Sequence, residues 1–488
     1  MSWHFRASST VPSLMAQEYD LVIIGLGSGG GLAAEFAAGE LGLRVAAVER
    51  GRIGGDCLWT GCVPSKSLIA SARVAHAVRH AAEFGVSAGT PEVDLRAVWA
   101  RIKSIQAGIA ETDDSPERFR ELGVELVEGD GRITGYRQVT VETADGDRQL
   151  DTRYILVCTG SRPAIPPIPG LDTVDFHTSE TLFEIDEPPA SLVMIGGGPI
   201  ATELAQAMVR LGVPTTVVEM AHRLVPRDEP ELADRLGQIL RREGVDLHLS
   251  TSATAVRPGG DGVVVETDEA EFTAAGLIVA TGRRANVESI GLEALGVPVG
   301  PGGAEVDGRN RTLVPNIYVV GDASAQRADF THVAAHDAVI AVRDMFFPGR
   351  GAAAHLTPWC TFTEPELAHV GLTAAEARER HGRGNVNVHR HELADNDRAR
   401  ADGTTDGMIL VVTAKNRIVG AHALAPAAGE LIHELALAIQ FGAKLGELSD
   451  LIHIYPTLAT GIGRIAADRS FETAEKLRGL TKLSRWMG

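Results

Sequence analysis

Cys57 and Cys62 stand in the stretch IGGDCLWTGCVPSKSL with four residues between them, and they are half of the four cysteines in a chain of 488 residues. So few cysteines do not build the disulfide framework of a secreted domain. They point to a reducing cytoplasm, where a disulfide that persists is usually a catalytic one. Directly after Cys62, the apolar spacing of VPSKSLIASARVAHAV predicts an amphipathic helix with Pro64 in its first turn. A thiolate at a helix N-terminus is stabilised by unpaired backbone N–H groups, which favours Cys62 as the thiolate of the pair. Two other readings are half of a zinc site and a pair of inert buried thiols. A structural zinc site needs a second pair of ligands. The remaining cysteines, Cys158 and Cys360, stand alone, so no metal site is expected.

Chemistry at such a pair needs a source of electrons, and two segments have the form of one. From Tyr19 the chain reads YDLVIIGLGSGGGLAAEFAAGELGLRVAAVER: an apolar run, a glycine cluster, an alanine-rich helical stretch and a second apolar run ending at Glu49. This is a βαβ unit with G-x-G-x-x-G at Gly25, Gly27 and Gly30. The glycines permit a tight turn and let backbone N–H groups approach a pyrophosphate, while Glu49 can accept from ribose hydroxyls. The pattern returns at residues 192–219, with Gly196, Gly198 and Ala201 in the glycine positions and Glu219 ending the second strand. Two dinucleotide sites in one chain suggest hydride passing between them. The alternative is a repeated fold with one dead site.

Around these units lie two similar segments, YILVCTGSRPAIPPIPG and GLIVATGRRANVESIGL, each an apolar strand closing on Thr-Gly. NIYVVGDAS reads as another strand, delivering Asp322 behind a glycine. TPWCTFTEPELAHVGLT reads as a strand opening a last α+β segment, which holds further strands near 408–413 and 418–423 and an apolar helix, GELIHELALAIQFGA. A net charge of −18 argues against nucleic-acid or anionic-membrane partners. No apolar run is long enough for a membrane span. The segment before Met15 lacks the apolar core of a signal peptide and reads as a disordered tail, or as a start placed too early at Met1.

Taken together, GGDCLWTGCVPSK, the two glycine fingerprints, the two Thr-Gly strands, VVGDA and FTEPELAHVGLT resemble the pyridine nucleotide-disulfide oxidoreductases, across about residues 18–470. The branch resembled is that of dihydrolipoamide dehydrogenase and mercuric reductase. The resemblance implies an α/β fold: two Rossmann-like domains for FAD and NAD(P), and a C-terminal α+β domain that builds a homodimer. The expected boundaries are a tail at 1–17, the FAD domain at 18–165, the NAD(P) domain at 166–290, the second part of the FAD domain at 291–352, and the dimerisation domain at 353–488. By the same resemblance, Gly25, Gly27, Gly30, Glu49, Gly55, Lys66, Gly131, Thr159, Gly160 and Asp322 would hold FAD. Gly196, Gly198, Ala201, Glu203, Glu219 and Gly282 would line the nicotinamide nucleotide. Cys57 and Cys62 would form a redox-active disulfide, with Cys62 facing the flavin and Cys57 exchanging with substrate. Lys66 would pair with Glu203 near the reactive edge of the flavin. Glu219 favours NADH over NADPH, because a carboxylate accepts from a free 2′-hydroxyl and repels a 2′-phosphate. His222 and Arg223 follow closely and would soften that preference. Pro199 stands where many members place a tyrosine that gates the nicotinamide pocket, so a more open hydride site is expected.

The sequence departs from that pattern in LIHIYPTLATGIGR. Lipoamide and glutathione reductases carry a histidine there, with a glutamate five residues later, as the acid–base pair for a dithiol. Here the aligned residues are Tyr455 and Thr460. A tyrosine, with an ordinary pKa near 10, is a poor proton shuttle at neutral pH. His453 is a candidate replacement; the other reading is a packed interface histidine. Mercuric reductases also carry tyrosine there, but they add a C-terminal cysteine pair that this chain lacks. The expected activity is hydride transfer from NAD(P)H through FAD and the Cys57–Cys62 dithiol to a small acceptor: a metal ion, a quinone or a disulfide. The alternatives are a dihydrolipoamide dehydrogenase with a replaced base, and a non-catalytic nucleotide-sensing protein.

Overall fold

The computed structural model describes residues 19–260, 262–325, 330–347 and 356–476; the segment expected to be a tail lies outside them. The chain divides into two compact units, each built from three separate stretches.

The first unit comprises residues 1–55, 112–160 and 285–353. The first βαβ pattern becomes Tyr19–Ile24, a helix at Ser28–Ala34 that continues as a wider-turned helix to Glu40, and Val45–Glu49. Tyr19–Ile24 is the centre of a parallel sheet, flanked by Val45–Glu49 and then Val124–Glu128 on one side, and by Gly146–Val157 and then Ile317–Val319 on the other. The strand at Gly146–Val157 also runs antiparallel to Gln138–Thr143, which pairs with Asp130–Gly135. Leu21 and Ile23 pack on one face with Ala33, Ala37 and Phe119, and Val22 packs on the other with Val139 and Ile155. Burial on both faces explains why these strands are apolar without alternation.

The second unit comprises residues 56–111, 161–284 and 354–488. The second βαβ pattern becomes Leu192–Ile195, the helix Pro199–Arg210 and Thr215–Glu219. Its four-stranded parallel sheet is completed by Asp246–Leu249 and Gly276–Val279. The helix Cys62–His80 packs through Leu68, Ala72 and Ala75 into a core that also holds Leu204 and Met208. A five-stranded antiparallel sheet, with helices Ala428–Gln440 and Thr460–Lys476, forms the C-terminal part. One expectation is corrected here. TPWCTFTEPELAHVGLT is two antiparallel strands, Trp359–Thr361 and Glu366–Gly371, with Trp359 opposite His369. Pro365, at the break, lacks the N–H that a continuous ladder would need. Among the described residues, no helix is long and apolar enough to cross a membrane.

Candidate active site

In the first unit two of the three fingerprint glycines, Gly25 and Gly30, leave no room for a side chain. Gly25 has φ +97°, and a Cβ there would lie 2.5 Å from the Cys158 carbonyl oxygen; at Gly30 it would lie 1.9 Å from the carbonyl oxygen of Gly25. Gly55, φ +55°, brings its backbone so close to Gly27 that an added Cβ would stand 2.9 Å from the Gly27 Cα. Glu49 is held at its strand end, accepting from Leu26 N–H at 2.7 Å and from Gly51 N–H at 2.8 Å. Thr159 and Gly160 are tied to Asn286. The Thr159 hydroxyl donates to the Asn286 carbonyl at 2.6 Å, and the Asn286 N–H donates to Gly160 O at 2.9 Å. Asp322 sits in the short turn Gly321–Ala323. Gly131 is packed against Val48 and Ile24, which accounts for its small size by packing. A turn with side chains excluded, ending on a fixed carboxylate, fits the phosphates and ribose of a dinucleotide.

In the second unit, half-buried Cys62 is the first residue of its nineteen-residue helix, and half-buried Cys57 lies in the short helix Gly55–Trp59 before it. The connection is tight: Gly61 N–H donates to Asp56 O at 2.6 Å. It is also braced from outside. The buried amide of Gln106, on the helix Leu95–Glu111, donates to the carbonyls of Leu58 at 3.0 Å and Trp59 at 2.7 Å. Asp56 pairs with Arg283. Gln106 and Arg283 carry no signal in the sequence, because nothing in a chain of residues marks which distant amide will reach a loop.

One turn into the cysteine helix, Lys66 Nζ meets Glu203 Oε2 at 2.8 Å, joining residues 137 positions apart. The other carboxylate oxygen, Oε1, accepts from Phe362 N–H at 2.8 Å, and the Lys66 ammonium lies 4.4 Å from the Phe362 ring centre. Both oxygens of a nearly buried carboxylate are therefore engaged. Lone Cys360, beside Glu366, and lone Cys158 are half-buried, and desolvation of their thiols pushes both pKa values up, so they stay protonated.

The second fingerprint repeats the first. Gly196, φ +115°, would clash with Ala280 O if it carried a Cβ, and Gly198 precedes the helix with open space about it. Ala201 is fully buried, and Gly282 has φ +133°. Glu219 is fixed by Gly197 N–H and by Ala221 N–H, the latter at 2.6 Å. The following loop returns to the same turn, with Val225 N–H donating to Gly197 O at 2.8 Å. Arg223 is occupied by His222, at 3.0 Å, and by Asp234, at 3.9 Å.

The departure near the C-terminus has its own partners. Tyr455 is 71% exposed, and its hydroxyl donates to Asp397 at 3.0 Å, which raises its pKa above the ordinary 10. Thr460 receives a hydrogen bond from buried Asn396 at 3.2 Å. His453 is nearly buried, packed on Gly463, and its Nε2 meets Glu434 at 3.0 Å. His453 is thus one half of a histidine–carboxylate pair. Among the described residues, no group of three or more metal-ligating side chains is present.

Comparison with known proteins gives this geometry its context. Residues 19–338 match the model of the pyridine nucleotide-disulphide oxidoreductases, and residues 357–465 match that family's dimerisation domain. The mercuric reductase of Streptomyces lividans is 34% identical over 470 residues, covering 94% of this chain and 98% of that protein. The mitochondrial dihydrolipoyl dehydrogenase of Dictyostelium discoideum is 32% identical over 466 residues, covering 93% of this chain and 94% of that protein. Among solved structures, the Cu(II) complex of the HOCl-induced flavoprotein disulfide reductase RclA from Escherichia coli superimposes with a TM-score of 0.82 at 26% identity, over 92% of this chain and 99% of that one. The chain therefore belongs to the pyridine nucleotide-disulphide oxidoreductase family, as an FAD-dependent enzyme acting on pyridine nucleotides.

Proposed function

We propose that this enzyme uses NADH to reduce a metal ion or a quinone through a redox-active Cys57–Cys62 disulfide. The observation that carries this reading is the Tyr455–Asp397 pair, at the position that the resemblance aligns with the acid–base histidine of thiol-acting members. A thiolate leaving group needs a proton at neutral pH. A phenol whose pKa is raised further by a neighbouring carboxylate cannot supply it at a useful rate. A metal ion makes no such demand, and a quinone has no sulfur leaving group and can take its protons from water. The names of similar proteins, a mercuric reductase and a Cu(II)-complexed flavoprotein, support the metal half of the proposal.

Bound FAD supplies the two-electron relay between nicotinamide and disulfide. When the S–S bond opens, Cys62 is kept as thiolate by the N-terminus of its helix, and Cys57 receives a proton and faces the acceptor. Re-forming the disulfide releases an electron pair and one proton, which reduce a pair of Cu(II) ions to Cu(I), or one quinone to its hydroquinone once water supplies the second proton. Lys66, oriented by Glu203, supports negative charge on the reduced site. Gly25, Gly27, Gly30, Gly55, Glu49, Thr159, Gly160 and Asp322 hold FAD; Gly196, Gly198, Glu219 and Gly282 hold the nicotinamide nucleotide. Glu219, locked by backbone donors, disfavours a 2′-phosphate, and Arg223 is already engaged and so compensates little.

A dihydrolipoamide dehydrogenase activity is the second reading, favoured by the His453–Glu434 pair. Anaerobic NADH oxidation with lipoamide, a benzoquinone and Cu(II) separates the two. Turnover of quinone and Cu(II) with negligible lipoamide turnover is the expected result. Fast lipoamide turnover, lost on His453→Asn, would establish the second reading instead.

A further inference from the structure

The helix Pro199–Arg210 carries more than Glu203 toward the segment at residues 359–364. Glu203, Gln206 and Arg210 are spaced three and four residues apart, so they share one helix face. Each bonds the same short stretch. Glu203 accepts from Phe362 N–H. The Gln206 amide takes both backbone groups of Glu364, accepting from its N–H at 2.8 Å and donating to its C=O at 2.7 Å, as a paired strand would. Arg210 pairs with the Glu364 carboxylate and donates to its C=O at 3.1 Å, and its other side is held by Glu243 at 2.7 Å. Gln206 is 3% exposed, and neither ligand class of the proposed site needs it directly.

We infer that Gln206 is a positioning residue for the Lys66–Glu203 pair, acting through the backbone of residues 362–364. This rests on the role proposed above for that pair. Glu203 can present Oε2 to Lys66 only while Oε1 is anchored by Phe362 N–H, and that N–H is held in register two residues from the Gln206–Glu364 bonds. With Gln206 removed, the strand end slides, Glu203 rotates and Lys66 loses its partner. Misplacement on the scale of an ångström costs on the order of tenfold to a hundredfold in rate.

The test is a double-mutant cycle in the FAD-loaded enzyme. Gln206→Leu and Glu203→Gln are compared singly and together, with Gln206→Glu as a second probe that keeps volume but cannot donate to Glu364 O. Two readouts are followed: the limiting rate of flavin reduction by NADH in single turnover, and acetylation of Lys66 by acetic anhydride, scored by peptide mass spectrometry against Lys103. The expected outcome for either Gln206 variant alone is a limiting rate lowered about tenfold with unchanged apparent NADH affinity, and Lys66 labelling raised severalfold. Added to Glu203→Gln, neither change is expected to go further, because coupled residues are non-additive. Equal losses in both backgrounds, or a Gln206→Glu enzyme with unchanged rate and labelling, would overturn the inference. A Glu203→Gln enzyme that reduces its flavin at full rate would overturn the role of the pair itself.

Discussion

At the residue scale the proposed chemistry depends on a few fixed groups. Replacing Glu219 by Ala removes the anion opposed to a 2′-phosphate. The NADPH-to-NADH ratio of kcat/KM is expected to rise about tenfold, near 1.4 kcal/mol, which steady-state kinetics with both nucleotides measures. A second expectation concerns acid. Trp359 stacks on His369 at 3.6 Å, and His369 meets His422 edge-on at 4.6 Å. Burial presses the pKa of His369 down to about 4 and that of His422 down to about 3, from 6.5. The unfolded chain takes up these protons as pH falls through about 6.5, while the fold does not. The stability they supply is therefore complete above that pH and is lost as pH falls toward 4, at about 1.4 kcal/mol per pH unit for each. Burial lifts Asp228, which accepts from Trp359 at 2.9 Å, to about 6, and its early protonation in the fold offsets part of the loss. Thermal melts between pH 7 and 4.5 should show a shallower acid slope in His422→Gln than in wild type. Equal slopes would refute the assignment.

At the element scale, helix ends and strand ends do the positioning. Asn396 caps the helix Asp397–Ala401 with its carbonyl and donates with its amide to Thr457 O, Leu458 O and Thr460 Oγ. Asn396→Ala removes a cap and three further bonds from a buried site. The expected cost is at least about 1–2 kcal/mol in denaturant unfolding, with Tyr455 displaced as a consequence. Both βαβ units were legible in the sequence, because glycine spacing, apolar strands and a terminal acid are local signals. So were Cys62 at a helix start and Glu219 at a strand end. The bracing of the cysteine loop by Gln106, the clamp of Gln206 and Arg210 on Glu364, and the Glu434 partner of His453 were not. Those contacts join residues 19 to 158 positions apart, and only the packing of one element on another selects them. The break at Pro365 was legible in principle: a proline inside a strand-like run argues against one continuous strand.

At the scale of the whole molecule, the match to the family's dimerisation domain gives the exposed apolar residues of the C-terminal part a purpose. Ile452 is 94% exposed, Ile454 80% and Phe441 77%, large apolar side chains that a contact between subunits would cover. Ile452→Asp is expected to shift sedimentation from dimer toward monomer, and an unchanged dimer would place the interface elsewhere. The central claim is that the Cys57–Cys62 pair stores electrons in addition to the flavin. Anaerobic dithionite titration of the FAD-loaded enzyme, wild type against Cys62→Ser, counts those electrons directly. The expected result is that wild type consumes twice the reducing equivalents of the variant before its spectrum stops changing. Equal consumption by the two would mean that the cysteines are not a redox centre, and the proposed route to the acceptor would fall with them.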